Sequence, residues 1–197
     1  AGLFDVQWTD GEPVRLVDLT LTGGEAPADG LGDVLYLWQA EVELDRVEIA
    51  ANGDPTVPDM PWNMDAWIDI RSSSLALTDV TISDNHGSHA GMECDHGTVV
   101  LERVTFAGNY SYYALVALPD SCDGTLSDLV LTDNDGGNCE RALVDAGAAA
   151  ATNLLAAGND VGPCRLFAGE QLVHATVVDN RAHGLVPLIE VDRLGHS

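Results

Sequence analysis

Leu77-Thr-Asp-Val-Thr-Ile-Ser-Asp-Asn85 is followed, 24 residues after its start, by Leu101-Glu-Arg-Val-Thr-Phe-Ala-Gly-Asn109. Both read apolar-x-x-apolar-x-apolar-x-x-Asn. The pattern recurs over Leu44–Asn52, Leu126–Asn134, Ala151–Asn159 and Leu172–Asn180, and Leu16–Gly24 matches it with Gly in the Asn place. Successive starts lie 28, 33, 24, 25, 25 and 21 residues apart. A repeat in the twenties is the signature of a solenoid. Second apolar stretches lie between the repeats: 34–37, 67–70, 114–118, 142–144 and 188–191. Each repeat therefore holds two or three short strands and leaves no room for a crossover helix. The expected fold is all-β, a right-handed parallel β-helix of about seven rungs. At ~4.8 Å per rung it makes a rod roughly 34 Å long.

Register follows from the pattern. Leu77, Val80 and Ile82 point inward, as do Leu101, Val104 and Phe106. The 3-then-2 spacing demands a bend after the first of them, because an unbroken strand alternates strictly. The recurrent Asn sits at a corner. Asn tolerates a left-handed backbone, and stacked amides hydrogen-bond into a ladder. Asn52, Asn85, Asn109, Asn134, Asn159 and Asn180 are read as that ladder. The residue before the middle apolar position faces outward. Up the stack it is Asp18, Arg46, Asp79, Arg103, Asp128, Asn153 and His174, so acid and base alternate at ion-pairing distance over the first five rungs. Ala148–Ala151 has high helix propensity, yet Leu154 and Asn159 keep the register. That segment is read as a further rung.

The cysteines fall into the same frame. Cys139 and Cys164 each follow a ladder Asn by five residues, while Cys94-Asp-His-Gly-Thr98 and Cys122-Asp-Gly-Thr125 occupy adjacent rungs. Rung spacing lies within the Cα range of a disulfide. The expected pairs are Cys94–Cys122 and Cys139–Cys164; the alternative is four reduced core thiols. Two disulfides imply an oxidising, extracytoplasmic setting.

The motifs Ile49-Ala-Ala-Asn52, Ile82-Ser-Asp-Asn85, Phe106-Ala-Gly-Asn109, Leu131-Thr-Asp-Asn134 and Val177-Val-Asp-Asn180 resemble those of right-handed parallel β-helix repeat proteins of bacterial surfaces. The likeness is to the polymorphic outer-membrane protein repeats within the broad pectate lyase-like group. It covers about residues 14 to 194, although the companion Gly-Gly-Ala-aliphatic motif is missing. It implies a cell-surface or secreted protein that is adhesive, architectural or active on polysaccharide. Residues 1–197 are read as one β-helix domain, a module of a larger surface protein whose ends lie within the coil.

Charge narrows the partners. The chain has 32 Asp and Glu against eight basic residues, all Arg, for a net charge of −24. Such a field repels nucleic-acid backbones and anionic lipids. No apolar run reaches the ~20 residues of a membrane span, so neither nucleic acid nor membrane insertion is expected. No cofactor is expected beyond weak Ca²⁺ binding by the acid field. Asp133-Asn-Asp-Gly-Gly-Asn138 does not have the spacing of a helix–loop–helix calcium site.

Candidate ligand contacts lie on insertions. Trp62 and Asp65, beside Trp67, form a ledge of aromatic and acidic groups suited to sugars or a protein. Tyr110, Tyr112 and Tyr113 extend it as an aromatic strip. His86, His89 and His96 share a rung with Asp84, Glu93 and Asp95, and are read as solvated turn residues. No catalytic residues or metal ligands are assigned. The expected function is a non-catalytic extracellular or cell-surface module that presents loops to a glycan or protein partner. A polysaccharide lyase or hydrolase is the alternative, with Arg71, Arg141 or Arg165 as the available bases for a lyase. A subunit that stacks end to end through its open rungs is the second alternative.

Overall fold

The structure is a computed structural model that describes residues 3–9, 11–24, 34–53, 66–87, 90–137 and 142–194. Every described strand pairs in parallel, and the strands stack on three faces of a β-solenoid. The first face holds Phe4–Gln7, Leu35–Trp38, Ala114–Ala117, Ala142–Asp145 and Ile189–Leu194, with the leading parts of Ile68–Thr78, Ala90–Glu102 and Arg165–Val178. Its register line runs Phe4, Leu35, Ile68, Met92, Val116, Val144, Phe167, Ile189. On the second face the line is Leu16, Leu44, Leu77, Leu101, Leu126, Ala151, Leu172. On the third it is Leu21, Ile49, Ile82, Phe106, Leu131, Ala156, Val177. Seven strands on the third face make six turns from first to last.

The second- and third-face lines are the first and third apolar positions of the sequence repeat, and nearly all members of the three lines are buried. The middle position supplies Val47, Val80, Val104, Leu129 and Leu154, also buried. The core is therefore a column of stacked aliphatic side chains, one layer per rung. The alanine-rich segment is the strand Ala150–Ala157. Leu126 and Leu172 flank Ala151 in register, so tertiary pairing overrides its helix propensity.

The bend after the second face is made by Asp18, Arg46, Asp79, Arg103, Asp128, Asn153 and His174, all with φ between 53° and 59°. The outward-facing row is thus also the row of left-handed residues. Arg46 grips Asp18 with two hydrogen bonds (Nε–Oδ1 2.6 Å, Nη2–Oδ2 3.0 Å), and Arg103 grips Asp79 the same way (2.7 and 3.0 Å). The guanidinium in each case holds the carboxyl below its ordinary range. Asn153 Nδ2 donates to Asp128 Oδ1 at 2.9 Å. Rungs are therefore joined in pairs along this corner.

The other recurrent corner corrects one expectation. The ladder Asn residues do not hold the left-handed conformation. The residue before each one does: Gly23, Ala51, Asp84, Gly108, Asp133, Gly158 and Asp179, with φ from 52° to 75°. This leaves the Asn side chain pointing into the stack. Asp alternates with Gly from Asp84 to Asp179, which keeps like charges from sitting on neighbouring rungs. A Cβ at Gly158 would lie 2.3 Å from Asp133 Oδ1, so the glycine also makes room for the carboxylate below.

Each amide is saturated. Asn109 Nδ2 donates to Ile82 O (2.8 Å) and Asn134 Oδ1 (3.0 Å), while its Oδ1 accepts from the backbone N and Nδ2 of Asn85, both at 3.0 Å. The Asn-to-Asn amide bond repeats at every step from Asn52 to Asn180. Gly24 N donates to Asn52 Oδ1 at 2.9 Å, so the glycine repeat closes the ladder through its backbone.

Cys94 and Cys122 form a disulfide with Cα atoms 6.3 Å apart. The pair is the expected one, but the alignment is not. Cys122 stands in register with Gly97 rather than with Cys94. A turn closed by Cys122 N to Pro119 O (2.8 Å) replaces the regular corner there and shifts the chain. In the pair Cys139–Cys164, Cys139 lies outside the described residues.

Candidate functional site

Strand alternation sends every second residue of the first face outward. The segments Phe4-Asp-Val-Gln7, Leu35-Tyr-Leu-Trp38, Ile68-Asp-Ile-Arg71 and Met92-Glu-Cys-Asp95 stack directly. They build two polar rows. One runs Asp5, Tyr36, Asp69, Glu93, and the other Gln7, Trp38, Arg71, Asp95. Neighbours in a row are ~4.8 Å apart at the backbone. The surface joins an aromatic end at Tyr36 and Trp38 to an acidic end at Asp69, Glu93 and Asp95.

Arg71 lies among the acids and is engaged by them. Its Nε is 2.7 Å from Asp69 Oδ1, and its Nη1 3.3 Å from Asp95 Oδ2. Asp69 is only 7% exposed although it lies on an outward row. Burial pushes its carboxyl above the ordinary range, against the pull of Arg71, and the charges of Glu93 and Asp95 push the same way. Asp95 is held low, first by the hydrogen bond with His96 (Nδ1 to Oδ1, 2.7 Å) and then by Arg71. Adjacent carboxyls are thus driven apart in acidity by their surroundings.

The sign for stability follows. A carboxyl whose pKa is higher in the folded than in the unfolded chain binds more protons when folded. Its presence then costs stability as pH rises from the unfolded value, near 4, through the folded one. Asp69→Asn is expected to narrow the stability loss between pH 4 and pH 7 and to make little difference below pH 4. Urea unfolding at several pH values measures this. A loss of stability that instead grows as pH rises would show that the ion pair with Arg71 outweighs the cost of burial.

Beyond Glu93 the row continues as Ala117, Asp145, Ala168 and Glu190. Ala117 belongs to a small buried cluster with Ala66, Ala90 and Ala114, and Tyr113 packs against it. Tyr110 stacks on His86, with ring centroids 4.4 Å apart and planes 12° from parallel. Tyr112 is half-buried. Further along, Arg165 Nε is 2.7 Å from Glu190 Oε2.

Trp62, Asp65, His89 and Arg141 lie outside the described residues. Trp67 is 4% exposed and belongs to the main core. A Cβ at Gly91 would lie 2.8 Å from its ring, and one at Gly87 2.7 Å from its Nε1, so two glycines make its berth. Its ring offers no platform to a ligand; Trp38, 43% exposed, does. Among the described residues no group of three or more His, Cys, Asp and Glu is placed to hold a metal ion. No described helix is long and apolar enough to cross a membrane. No protein-family model, curated protein or solved structure matches this chain.

Proposed function

We propose that this chain is an extracellular glycan-binding module, non-catalytic, whose binding surface is the outer side of the first face around Tyr36, Trp38, Asp69, Arg71, Glu93 and Asp95. The observation that carries it is the stacking of an exposed tryptophan beside hydrogen-bonding carboxylates and a guanidinium on one parallel sheet. Aromatic rings cover the apolar faces of sugars, and charged acceptors take their hydroxyls. A disulfide of the kind formed in oxidising compartments supports the extracellular setting. A rigid β-sheet also holds such groups at fixed spacing without the entropic cost of ordering a loop.

A hydrolase is the second reading, favoured by one observation. Asp69, its carboxyl raised by burial, lies in register with Glu93, and a pair of neighbouring carboxyls is the basis of glycoside hydrolysis. A lyase is less well supported, because Arg71 and Arg165 are both ion-paired at 2.7 Å and are poor candidates for a free base. The test is a panel of neutral, acidic and amino polysaccharides, scored for binding by affinity electrophoresis and for new reducing ends and unsaturated uronates. Binding without products is the expected result. Turnover that is lost in Asp69→Asn and Glu93→Gln would replace the module by the enzyme. Neither binding nor turnover across the panel would overturn both.

A further inference from the structure

We infer that the outer side of the third face is a second binding surface, and that its ligand is an ordered water lattice, the surface of an ice crystal. Two side chains per rung project from this face over seven strands. Six of these fourteen are threonines, Thr20, Thr22, Thr81, Thr105, Thr132 and Thr176, half of all the threonine in the chain. Ser83 adds a hydroxyl, Glu48 is the one charge, and the other six are Ala, Val or Leu. In a chain with 32 acids and eight arginines, that sets the third face apart. The second face, by contrast, presents Arg15, Glu43, Asp45 and Glu102. Charges begin only at the borders, with Asp79 and Arg103 paired on one side and Asp84, Asp133 and Asp179 on the other.

The spacing is as regular as the composition. Every repeat runs nine residues from its second-face apolar residue to the ladder position, although the repeats start 21 to 33 residues apart. All variation in length therefore falls outside the third face, and no insertion interrupts it. Beside it the Asn-to-Asn bonds stay between 2.7 and 3.0 Å at every step, and a side-chain ladder of this kind keeps a stack of strands flat. Outward groups thus recur at ~4.8 Å between rungs and about 6.6 Å along a strand, close to the two repeat lengths of the prism face of ice. Threonine is stiff at χ1, so its hydroxyl and methyl are held at that spacing. Methyl groups order the water around them, and hydroxyls hydrogen-bond to it. A charged side chain would hold its own hydration shell instead, and the face leaves charge out. It presents no aromatic ring to a sugar either.

Growth of single ice crystals in solutions of the whole chain tests the inference. Faceted crystals, a gap between melting and freezing points, and uptake of the protein into slowly grown ice are the expected results, with serum albumin excluded from the same ice. Thr81→Lys and Thr105→Lys are each expected to narrow the gap roughly fivefold, because a long charged side chain in the middle of the face holds two flat surfaces apart. Thr125→Lys makes the same change at an exposed position of the second face and is expected to keep the gap. Urea midpoints show that each variant is folded, and Thr81, which is exposed, carries the test if the half-buried Thr105 does not tolerate lysine. Crystals that grow as they do in buffer, with the protein left in the liquid, would overturn the inference. Equal losses from Thr81→Lys and Thr125→Lys would overturn the assignment to the third face. Sedimentation with crystalline cellulose and not with ice would give the face to a polysaccharide lattice, and a dimer dissolved by Thr81→Lys would give it to a second copy; either result overturns the reading as ice. None of these outcomes touches the first face, whose ligand is read separately by the polysaccharide panel.

Discussion

Replacing Asn109 by Ala is expected to destabilise the solenoid by about 3–5 kcal/mol, more than any single change on its surface. The side chain makes four hydrogen bonds at 2.8–3.0 Å, two given and two received, and lies 1% exposed in the stack. Alanine leaves the backbone N–H of Asn85 and one Nδ2 hydrogen of Asn85 without an acceptor, and it strips a donor from Ile82 O and another from Asn134 Oδ1. Each buried group left unmatched costs about 1–3 kcal/mol, and water has no ready access to replace the lost partner. Total stabilities are of order 5–15 kcal/mol. For a chain of this size the change corresponds to a melting point lower by roughly 10 °C.

Two further variants make the argument specific. Asn109→Asp keeps the shape but cannot donate when ionised, so it sets a buried charge against Asn134 Oδ1. It is expected to be worse than Ala at neutral pH and to recover as pH falls. Asn180→Ala, at the last ladder position, is half-buried and loses only its bonds to Asn159, Ala156 and Val178. Its cost is expected to be a fraction of that at Asn109, because stability in a stack is a sum of neighbour contacts. Urea unfolding of the three variants checks the order. Equal losses at positions 109 and 180 would mean that the amides contribute as isolated turn residues and not as a ladder.

The Asn ladder was legible because one residue type recurs at one position against a fixed apolar frame. The backbone role of that Asn was not. Its tolerance of a left-handed conformation draws the assignment to it, whereas the side chain enters the stack only if the preceding residue takes the turn. The sequence shows this in hindsight, since Gly or Asp fills that preceding position in six of the seven repeats. The polar surface of the first face is less legible for a different reason. The ladder indexes the second and third faces, and the first is reached across connections of variable length. Tyr36 and Asp69 are 33 residues apart, Asp69 and Glu93 only 24. The available signal was local: four segments reading apolar-polar-apolar-polar, from Phe4, Leu35, Ile68 and Met92. Aligned on their apolar residues, they place Tyr36, Trp38, Arg71 and the acids Asp5, Asp69, Glu93 and Asp95 side by side. Trp67, an aromatic residue beside an insertion, is core, because composition alone does not tell a covering ring from a presenting one.

Removing the Cys94–Cys122 disulfide, by Cys94→Ala with Cys122→Ala, is expected to cost about 3.5 kcal/mol. The bridge closes 28 residues of chain, and the loop-closure relation gives that value at 25 °C. Its place raises the stakes locally. Cys122 starts the second-face strand where the regular corner is replaced by a turn through Pro119, so the bridge is a covalent tie across that altered bend. Cys94 lies between Glu93 and Asp95, whose side chains face the opposite way. Loosening that strand end should blur the spacing of the acidic surface, and so weaken ligand binding in the double variant more than its residual stability alone explains. Both sulfurs are sealed, at 0–1% exposure, so a thiolate reaches them only through opening of the rungs. Reduction by dithiothreitol is therefore expected to be slow in native buffer and to accelerate steeply with urea below the unfolding midpoint. The decisive result is the pairing of the two measurements. Rapid native-state reduction with an unchanged melting point would show that the bend stands without its bridge, and that noncovalent stacking alone positions Glu93 and Asp95.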